Sequence, residues 1–177
     1  DLYKMFHVLF GGLKGGLAIG TMFMMVAISA MNGLSVAGMA IGATIALPEM
    51  LKRNYDKRMI TGVVQAGSSL GILIPPSVVM VLYGMIARQP VSKLWMAGIL
   101  PGLLMASLFL IYIYVRCKLQ PELGPPLKKE EREVSTLEKI RLLKAGIIPF
   151  LIFFFMTGLF LMGIASLVEC SAVGAFL

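Results

Sequence analysis

The chain has 177 residues, 58% of them hydrophobic and 14% charged, with a mean hydropathy of +0.89. A soluble domain carries roughly 25% charged residues, so this composition excludes an ordinary soluble fold and predicts an integral membrane protein. The net charge of +7 does not point to nucleic acid, because the sixteen lysines and arginines fall in short clusters between apolar segments.

Fourteen methionines suit adaptable apolar packing, and no Met-x-x-Met series recurs to suggest a metal box. The two cysteines, Cys117 and Cys170, and the lone His7 form no cluster with metal-ligand spacing. No enzyme constellation is recognised: there is no H-E-x-x-H and no P-loop. The start at Asp1-Leu2 and the end at Phe176-Leu177 inside an apolar run read as an internal piece of a larger protein.

Residues 1–14 are mixed and predict an interfacial segment or the end of a preceding helix. Residues 15–50 form an apolar run that is too long for one span of about 20 residues and short for two with a turn. Its middle, Ala30-Met31-Asn32-Gly33-Leu34-Ser35, is a turn signal. A re-entrant hairpin is the economical reading, with half-helices over about 16–29 and 36–50 and Ser35 as the cap of the second. Two short tilted spans are the alternative. Gly33, Ala37, Gly38, Ala40, Gly42 and Ala43 give the second half-helix a small-residue face for close packing.

Residues 51–58 hold Lys52, Arg53, Lys57 and Arg58, which argues for a cytoplasmic loop. Residues 59–87 read as a transmembrane helix broken near Ile74. Pro75 and Pro76 lack N–H groups and their rings clash with the preceding turn, so no helix continues through them. Backbone freed in this way is tolerated in a bilayer only where protein covers it or a polar cavity receives it. Such breaks form ion and substrate sites in secondary transporters, whereas a proline kink with packing value alone is the plainer alternative.

Residues 94–115 predict a continuous span, with Trp95 at one end and Tyr112 and Tyr114 at the other as interfacial anchors and a kink at Pro101-Gly102. Residues 116–144 are a polar linker whose eight positive charges return it to the cytoplasm, with a surface helix or a solvated strand of chain over 135–144. Residues 145–165 predict another span, rich in phenylalanine, and residues 166–177 begin a further element. Glu169 there is either an intramembrane acid or a helix-end residue. Fourteen of the sixteen positive charges fall on the side proposed as cytoplasmic.

The polar groups at the two breaks are the site candidates: Ser29, Asn32, Gly33 and Ser35 in the hairpin, and Ser68, Ser69, Gly71, Pro75, Pro76 and Ser77 in the broken helix. Hydroxyls, an amide oxygen and freed carbonyls are neutral oxygen donors that suit Na⁺, with Asn32, Ser35, Ser69 and Ser77 as its candidate ligands. Half-helix N-termini near Val36 and Ser77 favour an anionic substrate. The alternative is that these serines hydrogen-bond back to their own helices.

Gly67-Ser68-Ser69-Leu70-Gly71-Ile72-Leu73-Ile74-Pro75-Pro76-Ser77, then Tyr83-Gly84 and Ala97-Gly98-Ile99-Leu100-Pro101-Gly102, resemble the large membrane subunit (permease, M) of tripartite ATP-independent periplasmic (TRAP) transporters. Gly15-Gly16-Leu17-Ala18, Ala27-Ile28-Ser29, Ala40-Ile41-Gly42 and Pro48-Glu49-Met50 fit the same family in order. The tip at Ala30–Ser35 departs from the shorter Gly-Ser-Ser type of that family.

The resemblance implies an all-α, multi-pass protein of the bacterial inner membrane. It would be an elevator-type transporter built of inverted repeats, each with a re-entrant hairpin and an unwound transmembrane helix. It implies Na⁺ as coupling ion with no other cofactor, and uptake of an organic acid such as a dicarboxylate. The implied partners are a periplasmic solute-binding protein and a small membrane subunit. A stand-alone carboxylate symporter and a non-transporting membrane scaffold are the competing functions.

Overall fold

The computed structural model describes residue 10 and residues 13–126, 151, 154–155 and 157–176. Among these the regular structure is helical, without strands. The expected surface helix at 135–144, and Phe150 and Phe153 of the last predicted span, lie outside the described residues.

Helix α1 covers Gly16–Asn32 and α2 covers Ser35–Lys52. They are joined by Gly33 and Leu34 alone, a tighter link than the six-residue turn read from sequence. Asn32 does not form the turn: its side chain donates back to Ile28 O at 2.9 Å. Gly33 forms it, with φ 63° in the left-handed region and its N–H donating to Ser29 O at 2.8 Å. Ser35 is the first helical residue of α2, not its cap; Leu34 occupies the cap position and offers no side-chain hydrogen bond.

The two helices run antiparallel at close range. A Cβ placed on Gly38 would collide with Ser29 Oγ, and one on Gly42 would lie 2.6 Å from the Met25 thioether. The small-residue face is therefore used in part: Gly38 and Gly42 are buried, while Ala40 and Ala43 are exposed.

Helix α3, Lys57–Ser69, starts where Asp56 caps it: Oδ1 accepts from the Arg58 and Met59 N–H groups at 3.0 and 3.1 Å. It packs against both arms of the hairpin. Methionines fill that junction: Met22, Met50 and Met59 join Leu17, Ile60 and Val63 in one cluster, and Met24 and Met25 join Ala46 and Val64 in a second.

After α3 come a 3₁₀ turn at Leu70–Ile72, a non-helical stretch, and helix α4 at Val78–Ala87. Helix α5, Val91–Leu119, runs unbroken through Pro101 and four residues beyond the predicted end at Val115. It is long and apolar enough to cross a membrane. Residues 157–161 continue a helix, and α6 covers Leu167–Phe176. Glu169 lies in the first turn of α6, where its Oε2 accepts from Ser166 N–H and Oγ at 2.7 and 2.8 Å. It is a capping-box residue at a helix start.

The chain is clasped at one end. Gly15 N–H donates to Gly124 O at 2.9 Å, and Asp56 N–H to Leu123 O at 3.2 Å. The start of α1, the α2–α3 loop and the end of α5 therefore meet. Cys117 is buried there: a Cβ on Gly15 or on Gly124 would lie 2.6 or 2.9 Å from its sulfur.

Candidate functional site

The site is built on the break after α3. Pro75 and Pro76 supply no N–H, so the carbonyls of Gly71 and Ile72 have no donor four residues on. The chain tightens instead: Leu73 and Ile74 N–H both donate to Leu70 O, at 3.0 and 2.9 Å. Ser77 restarts the helix. Its Oγ accepts from Met80 N–H at 3.3 Å and its carbonyl from Val81 N–H at 3.2 Å.

The hairpin tip docks on this break. Gly33 O accepts from Val78 N–H at 3.2 Å. A Cβ on Gly33 would lie 2.5 Å from Pro76 O, so glycine is required there by contact as well as by its positive φ. One turn below, α1 touches the break directly: a Cβ on Gly71 would lie 2.7 Å from both Ser29 Cβ and Ser29 O. Gly38 faces the same serine from α2, and its Cβ would lie 3.4 Å from Ser68 Cβ. Three chain segments thus converge on Ser29, which is 0% exposed and whose hydroxyl has no hydrogen-bond partner among the described residues.

Beside the tip lies a cavity of about 230 Å³. Asn32, Pro76 and Ser77 line it, with Trp95 of α5 and Thr157 and Phe160 beyond. Trp95 is not an interfacial anchor. It is 3% exposed, its Nε1 donates to Ser77 O at 3.3 Å, and its ring meets Phe160 edge-on at 4.8 Å. Thr157 Oγ1 is buried without a partner among the described residues. Neither residue stands out in the sequence as a site candidate, because nothing local to them marks the approach of a distant break.

The ten residues singled out above separate into groups. Ser29, Ser68 and Gly71 are buried together at the crossing, and Ser68 Oγ donates to Gln65 O at 3.0 Å. Gly33, Pro76, Ser77 and Asn32 belong to the tip and its cavity, and Pro75 is buried in the break behind them. Ser69 is exposed and donates to Ala66 O of its own helix at 2.8 Å. Ser35 is half-buried in the first turn of α2, away from the cavity lining.

The break has a defined electrostatic sense. The N-terminus of α4 points at the tip, but three of its first four N–H groups are taken, by Gly33 O, Ser77 Oγ and Ser77 O. Of these four, Val79 N–H has no acceptor among the described residues. No cationic side chain lines the cavity among the described residues.

A family described as "Tripartite ATP-independent periplasmic transporter, DctM component" matches residues 1–177. The chain belongs to this family. A C4-dicarboxylate TRAP transporter large permease protein DctM of Pseudomonas aeruginosa is 38% identical over 105 residues, which is 59% of this chain and 25% of the relative. An ectoine/5-hydroxyectoine TRAP transporter large permease of Ruegeria pomeroyi is 37% identical over 106 residues, 59% of this chain and 24% of the relative. The 2,3-diketo-L-gulonate TRAP transporter large permease protein YiaN of Escherichia coli is 29% identical over 171 residues, 95% of this chain and 38% of the relative. This chain thus spans a quarter to two-fifths of these permeases. The family match takes in hairpin, break and α5 together, so the chain is a TRAP large-permease segment.

Proposed function

We propose that this segment supplies one half of the translocation site of a Na⁺-coupled permease that imports an organic acid across the bacterial inner membrane. The observation that carries the reading is the docking of Gly33 on Pro76 and Val78. It places a hairpin turn and a helix break against each other beside a cavity. A break of this kind has uncommitted carbonyls at the end of α3 and a helix N-terminus at α4, which favour a cation and an anion respectively.

For Na⁺ the fit is best at the crossing. Ser29 Oγ is buried without a partner, and the carbonyl of Gly71 has only a proline where its helical donor would be. Neutral oxygens of this kind suit a monovalent cation. The organic acid belongs in the cavity, where Ser77, Asn32 and Thr157 supply polar contacts. With no cationic side chain there, neutral donors and the end of α4 hold its carboxylate. Motion of hairpin and break as one body, as in an elevator, agrees with their glycine-mediated packing. A periplasmic binding protein and a small membrane subunit complete the machine.

The test is uptake of labelled organic acids by the intact protein in proteoliposomes, with its small subunit and binding protein added or withheld. Uptake that requires a Na⁺ gradient and the binding protein is expected. Uptake indifferent to Na⁺ would overturn the ion assignment, and uptake without the binding protein would favour a stand-alone symporter.

A further inference from the structure

A second and larger cavity, about 770 Å³, lies between α3 and α5, remote from the hairpin tip. That volume is within the roughly 300–1,000 Å³ of sites for small organic ligands. Two matched ladders form its sides. On α3 they are Arg58, Gly62 and Ala66; on α5 they are Arg116, Tyr112 and Leu108. Each steps by four residues, about one helical turn, and the two arginines stand at the same end. Eight residues rise about 12 Å, most of the roughly 15 Å hydrocarbon depth of one leaflet. Met22, Phe109 and Ile113 close the floor with apolar surface.

Two details set this groove apart from ordinary helix packing. Every other glycine of α3 and the following turn is pressed against a neighbour, but a Cβ on Gly62 would meet nothing within 4 Å. Gly62 keeps a slot open. Neither the Arg58 nor the Arg116 guanidinium has a hydrogen bond or ion pair among the described residues. Asp56, which shares the rim, has an oxygen engaged in capping α3.

We propose that this groove binds an anionic glycerophospholipid of the leaflet facing the lysine- and arginine-rich loops. The phosphodiester sits between Arg58 and Arg116, and one acyl chain lies along Gly62 and Ala66 against Tyr112 and Leu108. Arginine suits a phosphodiester because its planar fork matches two oxygens. The sharp division of the groove, charged at one end and apolar along its depth, matches the division within the lipid.

The probe is phosphatidylglycerol with a photoactivatable acyl chain, present as a minor component of phosphatidylcholine vesicles that hold the intact permease. Adducts should map to 59–66 and 108–113, and unlabelled phosphatidylglycerol should compete where diacylglycerol does not. Gly62→Leu puts bulk into the slot at a position where a Cβ meets nothing within 4 Å, and should abolish those adducts while the protein still melts cooperatively. Arg58→Gln or Arg116→Gln should each weaken competition about fivefold. Adducts spread along the outer face of α5, or adducts unchanged in Gly62→Leu, would overturn the proposal. So would a benzophenone side chain at position 62 that captures protein instead of lipid, which would assign the groove to a neighbouring helix. None of these readouts depends on transport, so they stand apart from the fate of the site at the hairpin tip.

Discussion

The hairpin with α3 and the helix α5 are both apolar, yet they are organised in opposite ways. In the first region glycines bring backbones together: Gly38, Gly42, Gly67 and Gly71 each leave no room for a Cβ. In the second, α5 buries a stripe, Trp95, Gly98, Gly102, Ile113 and Cys117, with Phe109 and Leu110 half-buried beside it, and exposes most of the rest, with Leu100 78% exposed. The upper part of the stripe is small because the break crosses there: a Cβ on Gly98 would lie 2.6 Å from Leu73 O, and one on Gly102 2.9 Å from Ile74. Interiors packed at this density do not deform continuously. The hairpin and the break therefore behave as one body, while α5 touches that body along one seam and faces lipid or other protein elsewhere.

Substitutions that add a methyl group should sort by region. The largest effect is expected for Gly71→Ala, whose Cβ meets the Ser29 backbone and has no flexible side chain to displace. Overpacking of this kind costs about 3 kcal/mol at the upper end. It should appear as a marked fall in the melting temperature of the purified protein, together with loss of uptake. Gly33→Ala comes next. A non-glycine residue in the left-handed region costs about 1–2 kcal/mol, and contact with Pro76 O adds to it. Its expected signature is undocking of the tip, read as faster hydrogen exchange at Val78.

Trp95→Phe removes the indole hydrogen bond to Ser77 O. That carbonyl keeps Val81 N–H, so the loss should be about 1 kcal/mol by thermal melting. Leu104→Ala on the outer face of α5 should change stability by less than about 0.5 kcal/mol. A large loss at Leu104, or none at Gly71, would dissolve the contrast between the two regions.

Part of this was legible in the sequence and part was not. Pro75-Pro76 dictates a break wherever it occurs, and Gly33 marks a turn by its own backbone freedom. Both are local facts. The extent of the turn was misread because Asn32 and Ser35 have turn and cap preferences that yield here to helix continuation. Trp95 was misplaced because its amphipathic ring suits an interface equally well, and only tertiary structure shows Ser77 O within its reach. At Pro101-Gly102, where the sequence predicts a kink, the helix continues through Pro101, and Gly102 also serves the approach of Ile74. The meeting of Ser29, Gly38 and Gly71 spans three segments, and no periodicity encodes it.

The central claim is that the crossing at Ser29 is a ligand site and not packing alone. Ser29→Ala tests it most directly, measured in parallel for melting temperature and for Na⁺-driven uptake by the intact protein. A buried hydroxyl without a partner costs about 1–3 kcal/mol, so its removal should leave stability unchanged or raised. The account predicts a protein at least as stable as the parent, with uptake strongly reduced and its Na⁺ dependence shifted to higher concentration. Uptake and Na⁺ dependence equal to the parent's would contradict it and leave the crossing as architecture.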